Sequence, residues 1–157
     1  MVSLLFAQPS FEAPEQTFRL IPTRRDEHSG LALSSRNAYL SEEARSIWAP
    51  VLFAALSRAK SVFEAGASSL EDVISGAEKM VTDASVKVNS DTSGRIIIEL
   101  DYISLNSDAT LAPLTGELPP GAILSGAMWI TEGKQRTRLI DNLLLGTAQK
   151  MMTAGSL

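Results

Sequence analysis

The hydrophobic patterns along the chain occur in an order that only a few folds can accommodate. Two segments with helical spacing of apolar residues come first, and three strand-like segments follow after short connections. Apolar residues repeat every three or four positions in an amphipathic helix, whereas strands are rich in β-branched residues and are bounded by turn residues. Successive strands joined by short connections pair antiparallel. The sequence therefore predicts an α+β fold, with a small antiparallel sheet of about three strands packed against two main helices.

The first predicted helix has a clear start and a clear end. Ser41 can cap its N-terminus, and Glu42 and Glu43 follow at the positive end of the helix dipole. Pro50 lies inside the apolar pattern, where its missing N–H either bends a helix or separates its first turns. Gly66 can end the helix because glycine readily adopts the left-handed conformation of that position.

The second helix and the strands are bounded by similar local signals. Ser69 resembles a helix cap, and the turn-rich segment Asn89–Gly94 predicts the end of this helix. The predicted strands then run from Arg95 to Leu105, from Ala122 to Thr131 and from Arg136 to Leu144.

The totals bound the class of protein. The chain has 157 residues, of which 45% are hydrophobic and 20% charged, and its net charge is -4. One domain fits this length, and the absence of a basic block argues against a nucleic-acid partner. No apolar run is long enough to span a bilayer. The chain has no cysteine, which excludes disulfides and a thiolate metal site and fits a cytoplasmic location. No metal-ligand spacing is visible.

The two ends of the chain carry weaker patterns. Pro9 and Pro14 argue against a helix in residues 1–20, and we expect an extended N-terminal arm there. The apolar start Met1–Ala7 lacks a positively charged segment and is too short for a secretion signal, so we interpret it as a natural start. We expect a single domain over residues 21–148 and a flexible tail over residues 149–157.

The candidate binding residues are Ser34, Ser35 and Arg36. Two hydroxyls beside a guanidinium suit phosphate oxygens, because hydroxyls donate hydrogen bonds and arginine adds a permanent charge and a planar fork of donors. The alternative reading is a cluster of turn and capping residues that precedes the helix at Ser41.

Four segments in a fixed order resemble the pantothenate synthetase (pantoate–β-alanine ligase) family. They are Pro22-Thr23-x-Arg25, the stretch Gly30–Ser41 that contains Leu-Ser-Ser-Arg-Asn, Leu100-Asp101-Tyr102, and Thr137-Arg-Leu-Ile-Asp-Asn142. The resemblance spans roughly residues 21–145 and corresponds to the C-terminal domain of the family. It implies that Ser34, Ser35 and Arg36 bind ATP phosphates while the domain closes as a lid.

The same resemblance also shows what this sequence lacks. The family's N-terminal Rossmann domain carries a paired-histidine motif and the pantoate pocket, but the only histidine here is His28. Twenty upstream residues are too few for a βαβ unit, which needs about 30. The segment around His28-Ser29-Gly30 is also about one residue longer than the usual bacterial pattern. The resemblance therefore implies a domain that cannot ligate pantoate and β-alanine without a Rossmann-domain partner.

Two further functions stay open from the sequence. In the first, the domain is a repurposed stand-alone enzyme that condenses, cyclises or hydrolyses a specialised metabolite. Arg36 would then hold a carboxylate or enolate, and His28 or Tyr39 would move a proton. In the second, the domain is a non-catalytic interaction module that forms a homodimer or binds a partner protein.

The remaining polar and aromatic candidates have simpler readings. Asp101 and Asp141 could act as a carboxylate pair, but ordinary ion pairs with the nearby Arg138 and Arg136 are the favoured interpretation. His28 is predicted to be a solvated loop residue. Half-buried packing is predicted for Tyr39 and Tyr102, and core positions for Trp48 and Trp129.

Overall fold

The computed structural model describes residues 23–148, so the predicted arm and tail lie outside the described residues. Two α-helices, α1 (Pro50–Glu64) and α2 (Leu70–Asp91), precede three strands. The strands β1 (Ile96–Asn106), β2 (Gly121–Glu132) and β3 (Gln135–Gly146) form one antiparallel sheet in the order β1-β2-β3. This arrangement confirms the predicted α+β fold, and the strand limits lie within two residues of the predicted ones.

Pro50 separates the first helical turns from α1. The Ser41 hydroxyl accepts a hydrogen bond from the Ala44 backbone N–H at 3.2 Å, as expected of a helix cap. The turn Ala44–Trp48 is then widened to π-helical geometry, with the Ala49 N–H bonded to the Ala44 carbonyl at 2.7 Å. Pro50 takes the first position of α1, where a proline needs no hydrogen-bond acceptor for its nitrogen.

The end of α1 and the start of α2 follow the predicted caps. Gly66 has a φ of +87°, its N–H bonds the Phe63 carbonyl, and the Ala67 N–H bonds the Val62 carbonyl. These two bonds form a Schellman motif. The Ser69 hydroxyl accepts a hydrogen bond from the Asp72 N–H at 3.1 Å and so caps α2.

The predicted end of α2 was wrong. The helix continues through Asn89 to Asp91, because Val88 continues the buried stripe and Lys87 pairs with Asp91 at 2.6 Å across one turn. The turn follows at Thr92–Gly94, where the buried Thr92 hydroxyl bonds the Val88 carbonyl at 2.7 Å.

One face of the sheet packs on both helices. The α2 helix lies mainly against β1, and α1 lies against β2 and β3. At Gly126 the backbone of β2 approaches α1 so closely that an added Cβ would lie 3.0 Å from Leu56 and 3.2 Å from Leu52. The fully buried large side chains include Leu56, Val73, Val81, Ile96, Ile98, Leu124, Met128, Ile130 and Leu145.

The outer face of the sheet is partly polar. A bulge at Asp101 shifts the β1–β2 register between Leu100 and Tyr102. Trp48 is buried in the core, as predicted, but the prediction for Trp129 was wrong. Trp129 is half-buried on the outer face, where the Arg136 guanidinium lies 4.2 Å from its ring centre. Within residues 23–148, no helix has the length and apolar character needed to cross a membrane.

Candidate functional site

The segment that precedes the Ser-Ser-Arg motif folds back on itself as a small hairpin. The Leu33 N–H bonds the Arg24 carbonyl at 2.8 Å, and Arg25 and Ala32 form an antiparallel bridge. At the tip, the Asp26 N–H bonds the Leu31 carbonyl at 2.9 Å. The stretch His28-Ser29-Gly30, which is about one residue longer than in the usual family pattern, therefore lies in the turn that closes the hairpin.

The Asp26 carboxylate organises this turn. It accepts hydrogen bonds from the Ser29 N–H and the Ser29 hydroxyl, both at 2.8 Å, and from the His28 N–H at 3.2 Å. These bonds, led by that of the Ser29 N–H, lower the pKa of Asp26 below its usual value. Gly30 completes the turn with a φ of +68°.

Arg25 joins the hairpin to the sheet through Asp141 of β3. Its guanidinium donates two hydrogen bonds to the two carboxylate oxygens, at 2.5 and 2.8 Å, and a third at 3.3 Å to the Gly30 carbonyl. The guanidinium also lies 4.0 Å from the centre of the Phe53 ring on α1. Both charged side chains are largely buried, with exposed fractions of 18% for Arg25 and 5% for Asp141.

Ser34, Ser35 and Arg36 follow the hairpin directly and are exposed. The Ser34 hydroxyl accepts a hydrogen bond from the Arg36 N–H at 3.2 Å and starts a short 3₁₀ helix, Ser35–Tyr39. The Asn37 amide donates to the Ala32 carbonyl at 2.9 Å, which holds this helix against the hairpin. Within residues 23–148 the Arg36 side chain has no ion pair or hydrogen bond, so its guanidinium is available to an external anion.

Two cavities border these residues. A cleft of about 70 Å³ lies between the loop, α1 and β3, and its polar lining is Ser34, Arg36, Asn37, Arg138 and Asp141. A broader groove of about 860 Å³ also borders the loop, and its polar lining is Asp26, His28, Ser29, Ser34, Ser35, Asn37, Glu42, Arg45 and Ser46.

The structure brings some of the predicted site residues together and separates others. Ser34 lines both cavities, Ser35 lines the groove and Arg36 lines the cleft. His28 lines the groove without Arg36, and Tyr39 lines neither cavity. Arg36, His28 and Tyr39, the residues predicted for anion binding and proton transfer, thus do not line a common cavity.

The predicted environments of the other candidates are partly corrected. Tyr39 is 63% exposed instead of half-buried, because it projects from the short 3₁₀ helix. Tyr102 is 37% exposed, with Arg138 at 5.9 Å from its ring centre. His28 is an exposed loop residue, as predicted.

Ion pairing of both aspartates is confirmed, but one predicted partner was wrong. Asp101 accepts two hydrogen bonds from Arg138, at 2.8 and 2.6 Å. Arg136 pairs instead with Glu99 on the outer face, whereas Asp141 faces inward and binds Arg25. Among residues 23–148, no group of three or more acidic or histidine side chains could hold a metal ion.

Sequence reasoning missed Arg25 and Phe53 as parts of the site. Arg25 belongs to the first segment of the family resemblance and Asp141 to the last. The occurrence of both residues in family segments was the one sequence signal that could have pointed to this pair. Nothing in the local pattern around Phe53 marks its ring as the surface on which Arg25 lies.

Comparison with known proteins supports one family. The profile of the family described as pantoate-beta-alanine ligase matches residues 12–144. Pantothenate synthetase of Rhodopseudomonas palustris strain HaA2 is 36% identical over 122 residues, which cover 78% of this chain and 36% of that protein. Pantothenate synthetase of Herpetosiphon aurantiacus is 35% identical over 126 residues, or 80% of this chain and 40% of that protein.

A solved structure gives the same result. The crystal structure of pantothenate synthetase from Thermus thermophilus superposes with a TM-score of 0.58 at 33% identity, covering 78% of this chain and 38% of that one. The chain thus spans about two-fifths of the length of the relatives that it matches.

Proposed function

This chain belongs to the pantoate-beta-alanine ligase family, and we propose that residues 21–148 are a C-terminal lid domain that grips ATP phosphates. Ser34 and Ser35 would donate hydrogen bonds from their hydroxyls, and Arg36 would supply the charge. The observation that carries the proposal is the Arg36 guanidinium, which is exposed and without a hydrogen-bond or ionic partner among the described residues. Arginine beside hydroxyl donors is a common arrangement for binding phosphate.

The loop backbone around this guanidinium is held on two sides. Arg25 fixes the hairpin to β3, and the Asn37 amide fixes the 3₁₀ helix to the hairpin. A loop that already has its bound conformation loses less entropy when it binds a ligand. The held backbone and free side chain of Arg36 therefore favour anion binding over a purely structural turn.

We further propose that the domain acts with a Rossmann-type partner domain, in the same or another chain, and does not ligate pantoate and β-alanine alone. The matched relatives are more than twice as long as the aligned part of this chain. Large apolar side chains close to the loop in sequence are exposed, namely Leu33 at 61%, Tyr39 at 63% and Ile47 at 57%. Large exposed apolar residues near a binding loop are typical of a surface that a partner covers.

Isothermal titration of the full chain with ATP tests the phosphate role. Arg36→Ala should weaken ATP binding by about 10- to 100-fold, since a charge-assisted hydrogen bond contributes about 1.5–3 kcal/mol. Arg58→Ala is the matched control, because Arg58 is an exposed arginine next to Gly76 and lines neither cavity. Equal ATP affinity in the wild-type and Arg36→Ala proteins, or no ATP binding by the wild type, would contradict the proposal.

A further inference from the structure

We propose that Arg25 and Asp141 are positioning residues that hold the loop Ser34–Arg36 in its anion-binding conformation. This inference rests on the proposed function of that loop. Neither residue needs to touch the bound phosphate, because their effect passes through the hairpin that precedes the loop.

The contact between Arg25 and Asp141 is built on several sides. The two hydrogen bonds of 2.5 and 2.8 Å fix the plane of the guanidinium against the carboxylate. The carboxylate also accepts the Asn142 N–H at 2.8 Å. The Phe53 ring, 4.0 Å away, and the Gly30 carbonyl, 3.3 Å away, limit the remaining freedom of Arg25.

A short series of bonds connects this pair to the proposed anion site. Arg25 bridges to Ala32 across the hairpin, and the Ala32 carbonyl accepts the Asn37 amide at 2.9 Å. The next residue, Leu33, is bonded to Arg24 at 2.8 Å and leads directly into Ser34. A displacement of Arg25 therefore moves the backbone on both sides of Ser34–Arg36.

The hairpin is the part that moves when this pair is broken. Asp141 lies within β3, where the strand pairs with β2 opposite Gly126. The hairpin instead is attached through the Arg25–Asp141 pair and through the buried side chain of Leu31. Removing one member of a buried ion pair leaves the other charge without compensation, and the exposed loop can relieve this by opening.

Hydrogen exchange of Asp141→Asn tests the positioning role without any ligand. We expect the hydrogen-bonded backbone amides of Asp26, Leu33 and Asn37 to exchange at least about ten-fold faster than in the wild type, while amides of α2 keep their rates. Glu99→Gln is the control, because it removes an Arg–carboxylate pair between β1 and β3 that lines neither cavity. Unchanged exchange in residues 24–37, or equal acceleration in α2, would overturn the proposal.

The ATP affinity of Asp141→Asn gives a second test, because a positioning role and simple electrostatics predict changes in opposite directions. Asp141 lines the cleft that contains Arg36, so loss of its negative charge would by simple electrostatics strengthen ATP binding. Positioning predicts the opposite, because a loop that holds its binding conformation about a tenth of the time binds about ten-fold more weakly. Tighter binding by Asp141→Asn would overturn the proposal.

Two further variants test whether the pair acts through its geometry and through Arg36. Arg25→Lys keeps the charge but not the planar fork, and we expect a smaller change in the same direction. In an Arg36→Ala background, Asp141→Asn should cause little further loss of ATP affinity, since the positioned group is gone. If the wild type binds no ATP, the phosphate role fails, while hydrogen exchange still decides whether Arg25 and Asp141 position the loop.

Discussion

Gly30→Ala should destabilise the fold through the contact between the hairpin and α1. Gly30 has a φ of +68°, and a Cβ added there would lie 2.6 and 2.7 Å from two atoms of the Phe53 ring. Real Cβ atoms do not approach carbon atoms so closely, so the ring has to shift. The Arg25 guanidinium lies over the same ring, so the shift also disturbs the pair with Asp141.

The expected loss of unfolding free energy in Gly30→Ala has two parts. Alanine in the left-handed conformation costs about 1–2 kcal/mol relative to glycine. Overpacking against a side chain that is already in contact adds about 1–3 kcal/mol. We therefore expect the free energy of unfolding to fall by about 2–5 kcal/mol.

Gly133→Ala separates these two parts. Gly133 lies in the turn between β2 and β3 with a φ of +59°, and an added Cβ would meet no atom within 4 Å. Gly133→Ala should therefore cost only the free energy of placing alanine in the left-handed conformation. Any change in the entropy of the unfolded chain is the same for both variants and cancels in the comparison. The difference between the two variants then measures the contact with Phe53.

Urea unfolding followed by tryptophan fluorescence provides the free energies. In a Phe53→Ala background, Gly30→Ala should cost about as much as Gly133→Ala does in the wild type, because the ring is absent. Equal destabilisation of the wild-type protein by Gly30→Ala and Gly133→Ala would show that the contact between residue 30 and Phe53 contributes no cost.

Three smaller predictions concern the cap of α2 and the hairpin turn at Asp26. Ser69→Ala should lower the free energy of unfolding by about 1 kcal/mol, because α2 loses the acceptor of its Asp72 N–H; a urea midpoint equal to that of the wild type would contradict the cap. Because the folded-state pKa of Asp26 is lowered, its stabilising contribution is present above pH 3.8 and is lost as the pH falls through the folded-state value. Ser29→Ala should raise the pKa of Asp26 only part of the way to 3.8, since the Ser29 N–H remains; an NMR titration with no change would contradict this.

The features predicted most accurately depend on residues that are close in sequence. The Ser69 cap joins residues three positions apart, and the stop at Gly66 uses carbonyls of the last turn of α1. Pro50 disturbs only the turn before it. Such signals are local because each backbone group bonds a near neighbour, so the sequence window contains both partners.

The faces of the sheet were harder to predict. The segment that forms β2 is apolar at almost every position, so it contains no polar alternation to show which side chains face outward. Trp129 was therefore assigned to the core. The environment of Trp129 depends on the register between β2 and β3, because that register places Arg138 opposite it on the outer face. The register in turn depends on the position of the turn between the two strands.

The partner of Asp141 shows how strand alternation could improve the reading of the site. Arg136 and Arg138 are five and three positions from Asp141, and odd separations place side chains on opposite faces of a regular strand. Alternation thus excludes both arginines as partners and places Asp141 on the buried face, beside Leu139. A buried carboxylate needs a counter-charge, which must then come from a segment that packs over that face. Arg25, 116 residues away, meets this need. An inward-facing aspartate therefore predicts that an arginine-bearing segment is anchored to the sheet, although only the tertiary structure identifies that segment.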